Sequence, residues 1–388
     1  MKIEISTQRL YKALSNLYNV IPKTAIIPIC RSFLFEPDGN MVKISATNME
    51  SHMQVTIDCD ITNGLPFCVS ADLLYGIVKL LPCNEVNFTG TDPENKGFIQ
   101  HVTMTADKGT YKLASEDPQF FPRIGLDNDD VIASFSIPAP VIGEMLSKTY
   151  RFVNEKDHRP SLSGVWLHTD GKVLQLCGSD GHALARIWHS FEEPGDMEMN
   201  VIMPKAFCQH AHRFLEGGTA HIYAGKNRLA ISSIDYRLST TLIDGKYPNI
   251  EAIWTHKPEK KVKLPKEVFI NAMKRLRLFA EEENKVIAFY IKDQEVELQA
   301  SDEGNDNIGT ESLYALEKTG VDIIIGFNAG LVTKLLSSMT SANVVMLVGR
   351  PEKAAFFLPD IEELTKEGYM LSPMLVNDPA KKHQEAEA

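Results

Sequence analysis

The chain repeats itself at two scales, and this constrains its fold more than any single motif. Three stretches, Phe33 to Asn48, Val165 to Asp180 and Ile287 to Asp302, read FLFEPDGNMVKISATN, VWLHTDGKVLQLCGSD and IAFYIKDQEVELQASD. Each alternates apolar and polar residues and turns near Asp38-Gly39, Asp170-Gly171 or Asp293-Gln294, the pattern of a β-hairpin. A finer unit lies beneath. Six times a short alternating strand runs straight into a helix start, at IEISTQRL, FCVSADLL, ASFSIPAPV, NVIMPKAF, KVKLPKEVF and DIIIGFNAGL. These strands begin about every 60 to 68 residues, a period that signals a repeat architecture. The expectation is an α+β chain of three similar domains, each made of two strand–helix–strands halves. The domains span 1–128, 129–256 and 257–376, with boundaries near Leu126–Val131 and Thr255–Lys260.

Composition sets the outer limits. The 388 residues suffice for two or three domains with cores of their own. The first residues, MKIEISTQRL, alternate and resemble no signal peptide, and no run of about 18 apolar residues could cross a membrane. Cys30, Cys59, Cys68, Cys83, Cys177 and Cys208 show no CxxC or CxH spacing and read as small hydrophobes in a reducing compartment. The expected location is cytoplasmic. Residues 377–388 lack large apolar side chains and are expected to be disordered.

The net charge of −11 conceals an asymmetry. Six helix windows (7–20, 71–82, 139–153, 204–215, 265–280 and 328–339) carry Arg9, Lys12, Lys79, Lys148, Arg151, Lys205, Arg213, Lys266, Lys274, Arg275, Arg277 and Lys334. Their acidic residues are Asp72, Glu144 and Glu267, so the windows net +9 and the remainder −20. Helix propensity alone would supply glutamate as often as lysine. The asymmetry points instead to helices sharing one surface that faces a polyanion. Helices about 10 Å wide fix the size of any ring they line. Six give a clear hole of about 9 Å, and twelve one of about 28 Å, against about 20 Å for a DNA duplex. Two chains could therefore surround duplex DNA where one could not. Their contacts would fall on phosphates, without sequence readout.

Three segments carry a family likeness. They are Ser179-Asp180-Gly181-His182-Ala183-Leu184-Ala185, Tyr247-Pro248-Asn249-Ile250 and Tyr369-Met370-Leu371-Ser372-Pro373-Met374-Leu375. In this order on a threefold repeat, they make residues 1 to about 376 resemble the bacterial sliding clamp, the beta subunit of DNA polymerase III. Its members carry Thr/Ser-Asp-Gly-His-x-Leu-Ala, Phe/Tyr-Pro-Asp/Asn and a terminal Met-Pro-Met-Arg-Leu. The resemblance implies a ring-shaped homodimer, helices inside and sheets outside, that encircles duplex DNA. It also implies tethering of the replicative polymerase and other replication and repair proteins, and opening by an ATP-driven loader. No catalytic residue and no cofactor or metal are implied. The matching partner-peptide groove is formed by Leu162, Ser179, Gly181, His182, Ala183, Leu184, Pro248, Ile253, Met370, Ser372, Pro373 and Met374, with Leu375 at its end. Short Leu/Phe-containing motifs are its expected ligands. The matching dimer edges are Tyr111 with Leu113 and Leu278 with Phe279. The chain departs from the family pattern at Ala183, Ser372 and Leu375, where many members have Arg, Met and Arg.

An enzymatic alternative is a metal-dependent phosphoesterase using Asp180, His182 and His210. Against it, Asn48 and Asp302 occupy the repeat position of Asp180, which suggests a turn former. His210 and His212, two apart on a helix, point to different faces. No GxxxxGK[ST] or GxSxG motif occurs.

Overall fold

The computed structural model describes residues 1–376 except 93, 95, 194, 196, 256, 257, 259, 282, 283, 303, 305, 306, 321 and 361–364. The tail expectation for 377–388 lies outside the described residues. Seven α-helices occur among the described residues: α1 (Thr7–Tyr18), α2 (Ala71–Val78), α3 (Ala139–Thr149), α4 (Lys205–Ala211), α5 (Ile250–Trp254), α6 (Lys266–Leu276) and α7 (Ala329–Ser338). Six of them start where the strand–helix pattern put them. The short α5 was not anticipated. No described helix is long and apolar enough to cross a membrane.

The three hairpins form as expected. Ser32–Asp38 pairs with Met41–Thr47, Gly164–Thr169 with Val173–Ser179, and Val286–Lys292 with Glu295–Asp302, all antiparallel. Gly39 (φ 59°) and Asp293 (φ 49°) take the left-handed conformation that tight hairpin turns demand. The described residues pack as two compact units, one within 1–147 and 197–244 and the other within 148–196 and 245–376. The middle repeat is therefore divided between them. The reason lies in the ladders, which run across the expected domain boundaries as continuously as within a repeat.

In the first unit a thirteen-stranded sheet carries the ladder. Ser51–Asp58, the strand after the first hairpin, pairs with Tyr236–Thr241, the last strand of the second repeat, with Ser51 opposite Thr240. Helix α1 turns Leu10, Ala13, Leu14 and Leu17 inward at helical spacing. Beneath, Phe35, Phe67 and Phe88 pack ring to ring at 4.7–6.1 Å. Gly109–Glu116, the last strand of the first repeat, pairs along one edge with His101–Ala106. Its second edge is paired only at Ser115 and Glu116, among the described residues.

The second unit repeats this arrangement. Ala183–Ser190, after the second hairpin, pairs with Thr365–Leu371, the last strand of the third repeat, with Ala183 opposite Leu371 and Leu184 opposite Met370. Phe269, Phe289, Phe327 and Phe357 form an edge-to-face chain through the core. Asn307–Tyr314, after the third hairpin, ends its four-stranded sheet and pairs only with Glu295–Asp302 among the described residues.

Candidate functional site

The groove residues named from the sequence all fall in the second unit, and the Ala183–Ser190 and Thr365–Leu371 ladder is their floor. Strand alternation puts Leu184, Arg186 and Trp188 on one face, with Met370 and Gly368 opposite the first two. Ala183, Ala185 and Ile187 point the other way, into the core. Leu184 is buried and Met370 half-buried.

The turn before this strand is built by Asp180. Its Oδ1 accepts the backbone N–H groups of His182 (3.0 Å) and Ala183 (2.7 Å). Asn48 Oδ1 accepts those of Glu50 and Ser51 (3.0 and 2.7 Å), and Asp302 Oδ1 that of Gly304 (3.1 Å). In each repeat this residue accepts the backbone N–H two positions on, and in the first two repeats also the one three positions on. Ser179 Oγ donates to the Ala183 carbonyl at 2.8 Å and accepts the Gly181 N–H at 3.1 Å. Gly181 sits at φ 87°, and a Cβ there would meet the Arg159 guanidinium at 2.6 Å. The positive φ is what favours glycine, since the guanidinium is the far end of a flexible side chain and could give way. Arg159 in turn forks onto Asp157 (3.0 and 2.9 Å), and these bonds hold the Asp157 carboxyl well below the usual carboxylate range.

The C-terminal segment closes the site. The Ser372 N–H donates to the His182 carbonyl at 2.8 Å, and the Met374 N–H to the Gly326 carbonyl at 2.8 Å. Ser372, Pro373 and Met374 are left half-buried between these two anchors, and Leu375 is exposed. Leu162 is buried at the end of a short 3₁₀ turn, Pro160–Leu162. The Tyr247–Trp254 segment packs against the same ladder, with Trp254 over Gly368 and Glu251 on Arg186. The Tyr247 phenol, pushed well above its usual pKa by burial, donates to the Cys177 carbonyl at 3.4 Å, and its ring stacks on Trp166. Asn249 caps α5 by accepting the Ala252 N–H at 3.1 Å. Pro248 is exposed and Ile253 half-buried. Gly181 and His182 complete the exposed rim. Sequence reading missed Arg186, Trp188, Glu251 and Trp254, which join this segment to the ladder. The one signal they gave is that two of the chain's three tryptophans are among them.

The basic residues divide. Arg9, Lys12, Lys79 and Arg213 in the first unit, and Arg151, Lys274 and Arg277 in the second, have exposed side chains, while Lys205 is half-buried. Arg9 and Lys12 lie 3.6 Å from Asp58 and Glu216. Arg275 is forked onto Glu311 at 2.7 and 2.5 Å, and Lys334 lies over the Phe152 ring at 4.6 Å. Lys266 donates to the Met339 carbonyl at 2.9 Å. Lys148 corrects the expectation. Its side chain is 9% exposed and ion-paired at 2.7 Å with Glu367, itself 4% exposed, so it is an internal charge and not a surface one.

The dimer-edge residues also divide. Leu278 is 84% exposed and Phe279 lies over Gly309, where an added Cβ would meet its ring at 2.9 Å. Ile308 and Tyr314 are exposed on the same strand. Tyr111 is half-buried, but Leu113 is 3% exposed. Leu113 already belongs to its own core and offers a partner only its backbone. The phosphoesterase alternative finds no support: among the described residues no group of three or more His, Cys, Asp or Glu side chains is placed to hold a metal ion, and Asp180 Oδ1 is committed to a turn.

Comparison with known proteins agrees with this architecture. Models of the N-terminal, central and C-terminal domains of the DNA polymerase III beta subunit match residues 1–123, 136–249 and 253–367. The chain is 21% identical over 378 residues to the beta sliding clamp of Haemophilus influenzae, covering 96% of this chain and all of that one. It is 20% identical over 352 residues to that of Escherichia coli, covering 90% and 93%. A crystal structure of the Pseudomonas aeruginosa sliding clamp bound to griselimycin superposes with a TM-score of 0.89 at 20% identity, covering 97% of this chain and all of that one. The Bacillus subtilis clamp gives 0.88 at 17% identity, with the same coverage. With domain matches over most of its length, the chain belongs to the DNA polymerase III beta subunit family, the non-catalytic sliding clamps that act as processivity factors in DNA replication.

Proposed function

We propose that two copies of this chain close head to tail into a ring around duplex DNA, with domains 1–128, 129–256 and 257–376 in each copy, helices inside and sheets outside. The observation that carries this reading is a pair of open strand edges at repeat-equivalent positions. Twice within the chain, the strand after a hairpin pairs with the last strand of the next repeat. Continuing the series calls for Asn307–Tyr314 to pair with Gly109–Glu116; among the described residues one edge of the first is unpaired and one edge of the second is paired only at Ser115 and Glu116. Such a heterologous contact closes on itself with two chains. On the register of the two intramolecular junctions, Leu113 would stand opposite Asn307, Lys112 opposite Ile308 and Tyr111 opposite Gly309, over which Phe279 lies.

Exposed Arg9, Lys12, Lys79, Arg151, Arg213, Lys274 and Arg277 then cross phosphates without reading sequence, joined by Lys205 and, through displaceable contacts, by Arg275 and Lys334. The groove tethers the replicative polymerase, the clamp loader and other cytoplasmic replication and repair proteins through short motifs with Leu and Phe anchors. Its half-buried methionines can adapt to several ligands. The test is retention. Protein placed on a nicked circle by a clamp loader should survive high salt and slide off once the circle is cut. Equal retention on circular and linear DNA refutes encirclement.

A further inference from the structure

We infer that Arg186 is a positioning residue of the peptide groove: through Glu251 and Trp254 it holds α5, and with it Pro248 and Ile253, at a set distance over the floor of Leu184 and Met370. The inference rests on the groove reading above. Arg186 lies on the Leu184 face of its strand, and its side chain is 9% exposed. Its guanidinium donates to Gln175 Oε1 at 3.1 and 2.7 Å and to the Glu251 carboxylate. It also lies 5.4 and 5.3 Å from the ring centroids of Trp188 and Trp254. Gln175 and Trp188 belong to the sheet, and Glu251 and Trp254 to α5. Arg186 therefore links the two bodies that form the groove.

Three physical features make this link restrictive. First, α5 has five residues, too few to hold its place by its own hydrogen bonds. Side-chain docking must set where it sits. Second, Trp254 fits because Gly368, opposite Arg186, has no side chain. A Cβ there would stand 2.5 and 2.7 Å from the indole. Third, a guanidinium buried this deeply cannot lose its carboxylate cheaply. Any lift or slide of α5 separates Glu251 from Arg186, so the helix is held at one distance. Lysine could not replace arginine, because the planar fork serves Gln175 and Glu251 at once while lying over two indoles.

The experiment is a double-substitution cycle on the full chain: Arg186→Met, Glu251→Gln and both together, with Arg186→Lys beside them. The probe is a fluorescein-labelled synthetic peptide carrying a leucine–phenylalanine pair. Its dissociation constant is read by anisotropy far below each variant's unfolding midpoint. Arg186→Met and Glu251→Gln should each weaken binding about tenfold. The double variant should be no weaker than the singles, since the pair acts as one unit. Arg186→Lys should not restore affinity. A lowered midpoint with unchanged affinity would mark a merely structural residue and overturn the inference, as would losses that add. Wild-type protein that ignores the peptide would instead overturn the groove reading itself. Should Arg186→Met not fold, Glu251→Gln against wild type decides, because that carboxylate is 61% exposed.

Discussion

Replacing Lys148 by methionine separates a structural charge from a DNA-binding one. In the second unit the Lys148 ammonium lies 2.7 Å from the Glu367 carboxylate, and both side chains are buried. Glu367 also accepts the Tyr369 hydroxyl at 2.8 Å and the Thr340 N–H at 3.4 Å. Lys148→Met keeps the length and most of the packing of the side chain while removing the ammonium that neutralises Glu367. Breaking one side of a buried pair costs about 3–5 kcal/mol. For a unit of this size, about 2–4 °C of midpoint per kcal/mol gives a drop of roughly 6–20 °C. Lys148→Met with Glu367→Gln should recover most of that loss, because no charge is then left buried alone. The assay is thermal unfolding followed by near-ultraviolet circular dichroism. A surface lysine facing DNA would behave in the opposite way, with an unchanged midpoint and weaker DNA binding. An unchanged midpoint in Lys148→Met, or a double variant as unstable as the single, refutes the reasoning.

Three further outcomes follow from the geometry. Cysteines at Lys112 and Ile308, opposite each other in the proposed register, should give a disulfide-linked dimer under mild oxidation, with neither single variant doing so; monomer alone would reject that register. Met374→Ala should weaken binding of a Leu/Phe peptide by about 2 kcal/mol, roughly 30-fold, once the ligand covers that side chain, whereas deleting 378–388 should leave affinity intact; titration by calorimetry decides, and the reverse pattern would move the site. Burial lowers the pKa of His52 and of His210, both in the first unit, to about 4, so an unfolded chain binds their protons first as pH falls. Stability present above about pH 6.5 should therefore decline toward pH 4 by about 3 kcal/mol per histidine, and His210→Phe should flatten the slope seen in urea unfolding at stepped pH.

Local pattern was enough to find the hairpins and the six main helix starts. Alternation and helical spacing are set by which face of an element meets the core, and that is written residue by residue. The turn role of Asp180 was legible for a similar reason, since Asn48 and Asp302 hold the same place in their repeats and all three accept the N–H two residues on. Most of the apolar groove candidates were named from short motifs whose members lie close together in sequence, and Leu162 and Ile253 from the family likeness. Tertiary structure alone decided the rest. Lys148 and Arg151 are three residues apart in one basic window, yet one is buried against Glu367 and the other exposed. Leu113 and Leu278 look alike as edge residues, but only Leu278 is exposed. The link from Arg186 to Glu251 spans 65 residues. Charge and hydropathy are properties of a residue, whereas burial and pairing depend on what the rest of the chain brings to it. No local pattern encodes that.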